Sequence, residues 1–394
     1  MLVGYFKICK LIIMKNKNAC KCLVFGMFFL VVSLFSCKKD KSKDPEIREI
    51  GLKDRVYIGS SDNNFYALNA ANGKLIWKYT AGNFSYSDPI VVGETVYAGS
   101  IDGNMYAFDA INGSVKWKFF TAAVGIESSP AVCDGIIYFG SNNGSFYALN
   151  ATTGELKWKM ETSKNVSSSP VVANNIVYFG SSNGLIYAVG AKTGNLIWSY
   201  QTGGMINQSS PALSNGIIFI GSRDGHLYAL NANNGSLKWK YSTNGISMEQ
   251  SSPVVANGMV YVGSWYDISD FSIAGSLLAL DEVTGKLKWE SLKGIGVGGS
   301  PSVLNGLLYV SADDGYFHAF NALTGVELWS KNILPNGAGA AGADGLVFVG
   351  AGGYKNIYAY DERTGNVKWK NSDMSGISTS TPCLIDSRGI VVRR

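Results

Sequence analysis

The sequence predicts an all-β fold, an eight-bladed β-propeller of four-stranded antiparallel blades whose ring is closed by the C-terminal strand. Eight tryptophans recur every 40 or 41 residues, with one interval of 50, across a chain of 394 residues. A second column of Ser-Pro pairs keeps the same period but is shifted by one repeat. Glycine is abundant (47 residues) and charged residues make up only 16%. This composition is typical of many short strands joined by tight turns.

The tryptophan column has constant neighbours. Each tryptophan follows a glycine by four residues and an alanine by ten, and in seven repeats Asn or Asp stands eight residues before it. A large aromatic residue at one position of every repeat is expected to pack between neighbouring units. We therefore predict a structural, inter-blade docking role for Trp77, Trp117, Trp158, Trp198, Trp239, Trp289, Trp329 and Trp369.

One repeat reads as four strands. In the fifth repeat, residues 210–216 enter the sheet, and apolar residues 217–222 form a second strand. An Asp-Gly turn, which tolerates positive φ, leads into an alternating third strand at 226–231. A further turn ending at Gly235 precedes the fourth strand at 236–241. Four short antiparallel strands repeated at this period predict a propeller blade, and no distinct caps of the kind a solenoid needs are present.

The two columns are offset, which predicts how the ring closes. The first tryptophan repeat has no Ser-Pro segment before it, and the last Ser-Pro segment, 380–385, has no tryptophan after it. A ring in which 380–385 completes the first blade would remove two open sheet edges. Residues 389–394 resemble a second strand, although 55–59 already fills that position. They are either left over or the start of a truncated ninth repeat.

The N-terminal segment resembles a bacterial lipoprotein leader. Lysines precede an apolar run at 22–35, about 14 residues and thus shorter than the roughly 20 that span a bilayer. The run ends at Ser36-Cys37, and a polar segment follows. We predict a signal peptide at 1–36 (with Met14 as an alternative start), lipidation of Cys37, a tether at 37–50 and the propeller at 51–394. The alternative is an ordinary signal peptide with an incidental cysteine.

The net charge of +5 belongs to the leader. Residues 1–37 contain five lysines and no acidic residue, so the remaining chain has a net charge of 5 − 5 = 0. A nucleic-acid-binding domain needs a basic surface of its own. The sequence therefore predicts no nucleic-acid partner.

The pattern Ala-x-Asp/Asn-x-x-Thr/Asn-Gly-x-x-x-Trp resembles the tryptophan-docking motif of the quinoprotein (PQQ-like) propeller superfamily, and it covers residues 56–385. That resemblance implies that each tryptophan packs on the motif turn of the next blade. The leader, tether and single propeller are most similar to the BamB family of outer-membrane assembly lipoproteins. This implies a scaffold role in the insertion of outer-membrane β-barrel proteins, although a propeller can host many functions.

The enzymatic branch of the superfamily carries an adjacent Cys-Cys pair, calcium-binding acids, a catalytic Asp and a Trp beneath the quinone. The mature chain has no Cys-Cys pair, and only Trp265 lies outside the docking column. His226 and His318 occupy repeat positions that hold other residues elsewhere, so we interpret them as repeat substitutions. We predict no catalytic, cofactor-binding or metal-binding residue, no cofactor and no enzymatic activity.

The largest break in the repeat is an insertion of about eight to ten residues in a hairpin of the sixth repeat, within 263–279. Long loops often carry function, and exposed aromatics beside charges are typical of interfaces. The candidate partner-binding residues are Trp265, Tyr266, Asp267, Asp270 and Phe271. The alternative is that this loop folds back over its own blade. A second break, 337–343, replaces a Ser-Pro strand with small residues that either widen the channel for a ligand or relieve packing.

Together these features predict a monomeric, non-enzymatic propeller in the bacterial cell envelope. We expect a lipid anchor, most simply in the outer membrane, with the propeller in the periplasm or at the cell surface. Its expected partners are envelope proteins, with the barrel-assembly machinery as the leading candidate. The alternatives are a PQQ-dependent dehydrogenase-like enzyme and a glycan- or peptide-binding propeller lipoprotein.

Overall fold

The computed structural model describes residues 54–121, 125–267, 269–270, 272–334, 339–351, 355–376, 378–385 and 391–392. All of them lie in one compact unit. Within these ranges no helix is long and apolar enough to cross a membrane. The predicted leader, Cys37 and the whole of the tether lie outside the described residues.

Eight antiparallel sheets form the described part of the chain, one per blade. Blade one contains β1 (Arg55–Gly59), β2 (Asn64–Asn69) and β3 (Leu75–Thr80). Blade two contains β4 (Ile90–Val92), β5 (Thr95–Gly99), β6 (Asn104–Asp109) and β7 (Val115–Phe120). Blade three contains β8 (Ala131–Cys133), β9 (Ile136–Gly140), β10 (Ser145–Asn150) and β11 (Leu156–Glu161). Blade four contains β12 (Val171–Ala173), β13 (Ile176–Gly180), β14 (Leu185–Gly190) and β15 (Leu196–Gln201).

The second half continues in the same way. Blade five contains β16 (Ala212–Ser214), β17 (Ile217–Ser222), β18 (His226–Asn231) and β19 (Leu237–Ser242). Blade six contains β20 (Val254–Ala256), β21 (Met259–Tyr266), β22 (Ile273–Asp281) and β23 (Leu287–Ser291). Blade seven contains β24 (Ser302–Leu304), β25 (Leu307–Ser311), β26 (Tyr316–Asn321) and β27 (Glu327–Asn332). Blade eight contains β28 (Ala340–Ala343), β29 (Leu346–Ala351), β30 (Asn356–Asp361) and β31 (Val367–Asn371).

The first strands of neighbouring blades contact one another around the central axis, for example β4 with β8 and β16 with β20. The second and third strands are buried on both sides because a blade covers each face, and β10 shows this along nearly its whole length. The fourth strands are the outer edges, where side chains alternate between exposed and partly buried. The predicted all-β, eight-bladed fold is confirmed.

The C-terminal strand closes the ring, as predicted. The strand β32 (Cys383–Ile385) pairs antiparallel with β1, with Tyr57 opposite Cys383, and so supplies the strand that blade one lacks at its N-terminal end. The strand β33 (Val391–Val392) pairs with the other edge of β32 and gives this blade five strands. These two residues therefore belong to blade one, and the interpretation as a truncated ninth repeat is wrong for them.

Candidate functional site

The docking turns join the third and fourth strands of each blade. Every motif glycine has positive φ, as at Gly113 (+76°), and its turn accepts the tryptophan of the preceding blade. A Cβ built on Gly113 would stand 2.6 Å from the indole of Trp77. The same contact occurs in the pairs Trp117–Gly154, Trp158–Gly194, Trp198–Gly235, Trp239–Gly285, Trp289–Gly325, Trp329–Gly365 and Trp369–Gly73.

Each tryptophan also donates a hydrogen bond across the blade boundary. The indole N–H of Trp198 donates to the carbonyl oxygen of Ala232 at 2.9 Å, and that of Trp369 donates to Ala70 at 2.8 Å across the closing boundary. In five blades a buried tyrosine of the second strand donates to the same carbonyl, as Tyr178 does at 3.0 Å to Ala232. A carbonyl oxygen has two lone pairs, so it can accept both donors.

The alanine column explains how so large a side chain fits. Each motif alanine lies opposite its tryptophan in the strand pair, as Ala229 does opposite Trp239, and is fully buried. The register shifts just after this alanine in every blade. The small residue leaves room for the indole, and the bulge bends the edge strand towards the next blade.

The insertion of blade six extends the hairpin. Strands β21 and β22 contain eight and nine residues, so Trp265 and Tyr266 lie at the end of a strand. The Tyr266 side chain is buried, and its hydroxyl donates to Glu249 Oε1 at 2.9 Å. The Trp265 indole N–H donates to the Asp313 carboxylate of blade seven. This part of the hairpin therefore folds back over the propeller.

The remaining candidate residues lie towards the hairpin tip. Asp267 is partly exposed and Asp270 is exposed, and each carboxylate accepts a backbone N–H of its own turn, from Ser269 and Ser272. Phe271 lies outside the described residues. A partner could therefore reach Asp267, Asp270 and the edge of Trp265 without displacing the hairpin, whereas it could not reach the ring of Tyr266.

A buried carboxylate holds this hairpin in place, and the sequence did not reveal it. Glu249 is 3% exposed and accepts hydrogen bonds from Tyr266 and from Asn207 Nδ2 (2.7 Å), while Arg223 Nε lies 4.0 Å away. Burial raises the pKa of the Glu249 carboxyl, and the hydrogen bond from Tyr266 and the charge of Arg223 act against that rise. Since Glu249 is in the segment before β20, only the fold brings it beneath the insertion.

The central channel opens at the end of the ring from which the chain enters the first strands. Its mouth has a volume of about 210 Å³. An inner tier consists of the residues just before each Pro, or before Ala340 in blade eight, and an outer tier lies two residues earlier in each repeat. The inner tier is Asp88, Ser129, Ser169, Ser210, Ser252, Ser300, Gly339 and Thr381. The outer tier is Tyr86, Glu127, Ser167, Gln208, Gln250, Gly298 and Thr379.

The inner tier joins the blades. The backbone N–H of Ser129 donates to Ser169 Oγ at 2.9 Å, and that of Ser169 donates to Ser210 Oγ at the same distance. The pattern runs from Asp88 to Ser300. These serines satisfy backbone donors that no strand reaches. Since the same role recurs from blade two to blade seven, the inner tier is part of the framework of the ring.

The small residues of blade eight are explained by packing. A Cβ on Gly339 would stand 2.2 Å from Thr381 Oγ1, and one on Gly342 would stand 2.2 Å from the Leu304 side chain. Neighbouring blades therefore fill the space that larger residues would occupy. Residues 337 and 338 of this break lie outside the described residues.

The channel mouth does not fit PQQ, the cofactor of the dehydrogenase branch. PQQ is a tricarboxylate, which needs cationic or metal partners. Among the described residues that line the mouth there is no Lys, Arg or His, and two are the carboxylates Asp88 and Glu127. No group of three or more His, Cys, Asp or Glu residues in the described part of the chain could hold a metal ion.

The two histidines have local partners. His318 is buried, with Nε2 3.1 Å from Asp314 Oδ2 and Nδ1 3.1 Å from Glu327 Oε1. Other blades have a tyrosine at this position, and its hydroxyl donates to the hairpin aspartate, as that of Tyr106 does to Asp102 at 2.7 Å. His226 Nδ1 lies 3.1 Å from the carbonyl oxygen of Asp224 within its own hairpin. Both positions agree with substitutions within the repeat.

The fold and the docking geometry define a PQQ-like propeller with eight tryptophan-docked blades. A family model described as outer membrane protein assembly factor BamB matches residues 47–129, 121–274, 245–336 and 273–393. These matches span most of the chain, and the chain therefore belongs to this family.

Curated relatives match over short segments. The chain is 35% identical over 104 residues to the outer membrane protein assembly factor BamB of Bordetella pertussis, covering 25% of this chain and 26% of that protein. It is 45% identical over 56 residues to a quinoprotein ethanol dehydrogenase of Pseudomonas putida, covering 14% of this chain and 9% of that enzyme. The matched segments thus span about a quarter or less of these relatives.

Solved structures share the fold at low identity. BamB from Moraxella catarrhalis has a TM-score of 0.64 and 19% identity, and the match covers 79% of this chain and 97% of that one. A quinohemoprotein alcohol dehydrogenase from Pseudomonas putida has a TM-score of 0.60 and 18% identity, with coverage of 78% and 69%. At these identities the likeness concerns the fold alone.

Proposed function

We propose that this protein is a non-enzymatic, protein-binding scaffold of the bacterial envelope that acts in the assembly of outer-membrane β-barrel proteins. The observation that carries this proposal is the family match, which extends over nearly the whole propeller. The channel mouth supports it because the described residues of its lining include none of the cations that a quinone tricarboxylate requires. Purified protein mixed with PQQ and Ca²⁺ should then show no dye-linked alcohol oxidation, and turnover would contradict the scaffold role.

The extended hairpin of blade six supplies the contact surface in this proposal. It stands on a rigid base, because Tyr266 and Trp265 tie it to Glu249 and to Asp313 of the next blade. Its acidic tip, with Asp267 and Asp270, is the part that a partner can reach. A fixed base with an exposed tip limits the entropy that is lost on binding.

The experiment is affinity capture from detergent-solubilised membranes, followed by identification of the bound proteins. Wild type should recover barrel-assembly proteins, and a variant whose residues 265–274 are replaced by an Asp-Gly turn should recover less. The matched control is Phe120→Ala, which removes an exposed aromatic side chain from the outer strand of blade two and should bind like wild type. Recovery of no barrel-assembly protein by wild type would contradict the proposal.

Anchoring at Cys37 is a separate part of the proposal. Cys37→Ala should move the protein from the membrane to the soluble fraction, because no acyl chain can be attached. Ser36→Ala keeps a small residue before the cysteine and should remain in the membrane. Full membrane retention of Cys37→Ala would show that the anchor lies elsewhere.

A further inference from the structure

The outer tier of the channel mouth varies from blade to blade, unlike the inner tier. Its seven members are of six residue types, although all occupy one repeat position. The inner tier, by contrast, is serine in five of its eight positions. Side chains of the inner tier accept backbone hydrogen bonds from the preceding blade. In the outer tier Glu127 accepts a hydrogen bond from Asn142 Nδ2 at 3.0 Å, whereas no contact in the described part of the chain accounts for Tyr at 86 or Gln at 208 and 250. A position that the framework leaves open is where a repeat protein can build specificity.

Several outer-tier side chains have hydrogen-bonding or stacking capacity that the protein leaves unused. Tyr86 is 45% exposed, and its side chain makes no hydrogen bond or ring contact with the described residues. The side-chain amides of Gln208 and Gln250 likewise make no hydrogen bond there. Each amide offers both donors and an acceptor to a molecule in the mouth.

Aromatic groups flank the mouth on opposite sides. Tyr86 belongs to blade two, and Trp265 belongs to the hairpin of blade six, four blades away in a ring of eight. A Cβ on Gly298 would lie 3.3 Å from Gln250 Oε1 and 3.6 Å from Trp265 Cδ1, so the indole edge and the amide border the same glycine. The mouth is thus a polar pit with an aromatic side chain at either rim.

We propose that the channel mouth binds a neutral carbohydrate of one or two rings. Sugar hydroxyls match a lining of hydroxyls and amides, and the C–H bonds of a sugar ring are attracted to the negative face of an aromatic ring. The negative charges of Asp88 and Glu127 at the mouth repel anions and so favour a neutral ligand. The volume of 210 Å³ lies below the range of about 300–1,000 Å³ for pockets that enclose drug-sized ligands, so the mouth would enclose about one sugar ring and a second ring would extend into solvent.

The test is titration calorimetry of the purified propeller with maltose, cellobiose and N,N′-diacetylchitobiose, with digalacturonate as the charged comparison. At least one neutral disaccharide should bind saturably, with digalacturonate weaker. Tyr86→Ala should weaken binding about tenfold, and Tyr86→Phe should retain it because the ring face is preserved. Gln250→Ala should weaken it less, and Phe120→Ala should have no effect.

Three outcomes would overturn this proposal. They are a Kd above roughly 10 mM for all three neutral disaccharides, tighter binding of digalacturonate, and unchanged binding by Tyr86→Ala. Thermal unfolding of each variant controls for loss of fold. The substitutions leave the hairpin intact, so loss of sugar binding with unchanged capture of envelope proteins separates this site from the proposed scaffold surface.

Discussion

At the docking turns all eight blades place a tryptophan on a glycine of the next blade, whereas at the outer tier of the channel mouth seven blades present six residue types. Both sites repeat with the same period and lie on the same framework. The docking contact joins every pair of neighbouring blades, and the same residues make it at every blade boundary. The outer-tier position has no such structural role, and its residue type differs from blade to blade. Uniformity around the ring therefore marks structure, and variation marks the surface available for recognition.

The largest effect is expected from removing the strand that closes the ring. Deleting residues 380–394 removes β32, whose Cys383 and Leu384 are 1% exposed, and leaves an open edge on blade one. Each buried apolar side chain contributes about 1.5–3 kcal/mol, against a typical domain stability of about 5–15 kcal/mol. The truncated protein should aggregate or unfold far below wild type in thermal melts and size-exclusion chromatography. Deleting only 386–394 should cost much less, and equal effects would place closure in the last residues.

Alanine substitutions of two tryptophans compare the stability contributed by a docking turn with that contributed by the blade-six hairpin. Trp198→Ala should lower the free energy of unfolding by about 3–5 kcal/mol, because the indole is buried against Gly235 and donates to Ala232. Trp265→Ala removes a partly exposed side chain and one hydrogen bond, so about 1 kcal/mol is expected. Urea denaturation of both variants measures the difference. A large loss for Trp265→Ala would mean that the hairpin is part of the core.

Two tyrosines at the same repeat position, one with and one without a hydrogen-bond partner, allow a comparison between two blades. Tyr178→Phe loses the hydrogen bond to Ala232 and should destabilise by about 1 kcal/mol. Tyr261 is its equivalent in blade six, but its buried hydroxyl has no hydrogen-bond partner among the described residues. Since that unsatisfied group costs about 1–3 kcal/mol, Tyr261→Phe should be neutral or stabilising. Equal destabilisation by both, in the same denaturation assay, would contradict this reading of blade six.

The smallest expected effect concerns Glu249 beneath the hairpin. Burial raises its pKa in the folded state above the ordinary value of 4.5, so the folded state holds this proton more tightly than the unfolded state. The contribution of protonated Glu249 to the free energy of unfolding is therefore present below pH 4.5, and it is lost as the pH rises through the raised pKa. Glu249→Gln should lack this loss, and stability measured against pH should diverge between the two proteins above pH 4.5. Parallel curves would show that Glu249 titrates normally.

The sequence could predict the fold because its information is periodic. Glycines with positive φ, the alanine opposite each indole and the Ser-Pro segments all recur, and the offset of two columns predicted the closing strand. The insertion was visible as a break in that period. Its conformation was not, because the burial of Tyr266 depends on Glu249, which stands 17 residues earlier and meets it only in the folded hairpin.

What the sequence by itself determined is what each repeat states locally: strands, turns, the docking tryptophan and the number of blades. What only the tertiary structure decided is what arises between blades. Gln250 and Trp265 meet at Gly298, Tyr86 lines the same mouth from blade two, and Val391–Val392 joins blade one as a fifth strand. The sequence pattern of one repeat determines the strands and turns of that repeat. These contacts instead join residues of different blades, so they depend on where each blade lies in the closed ring.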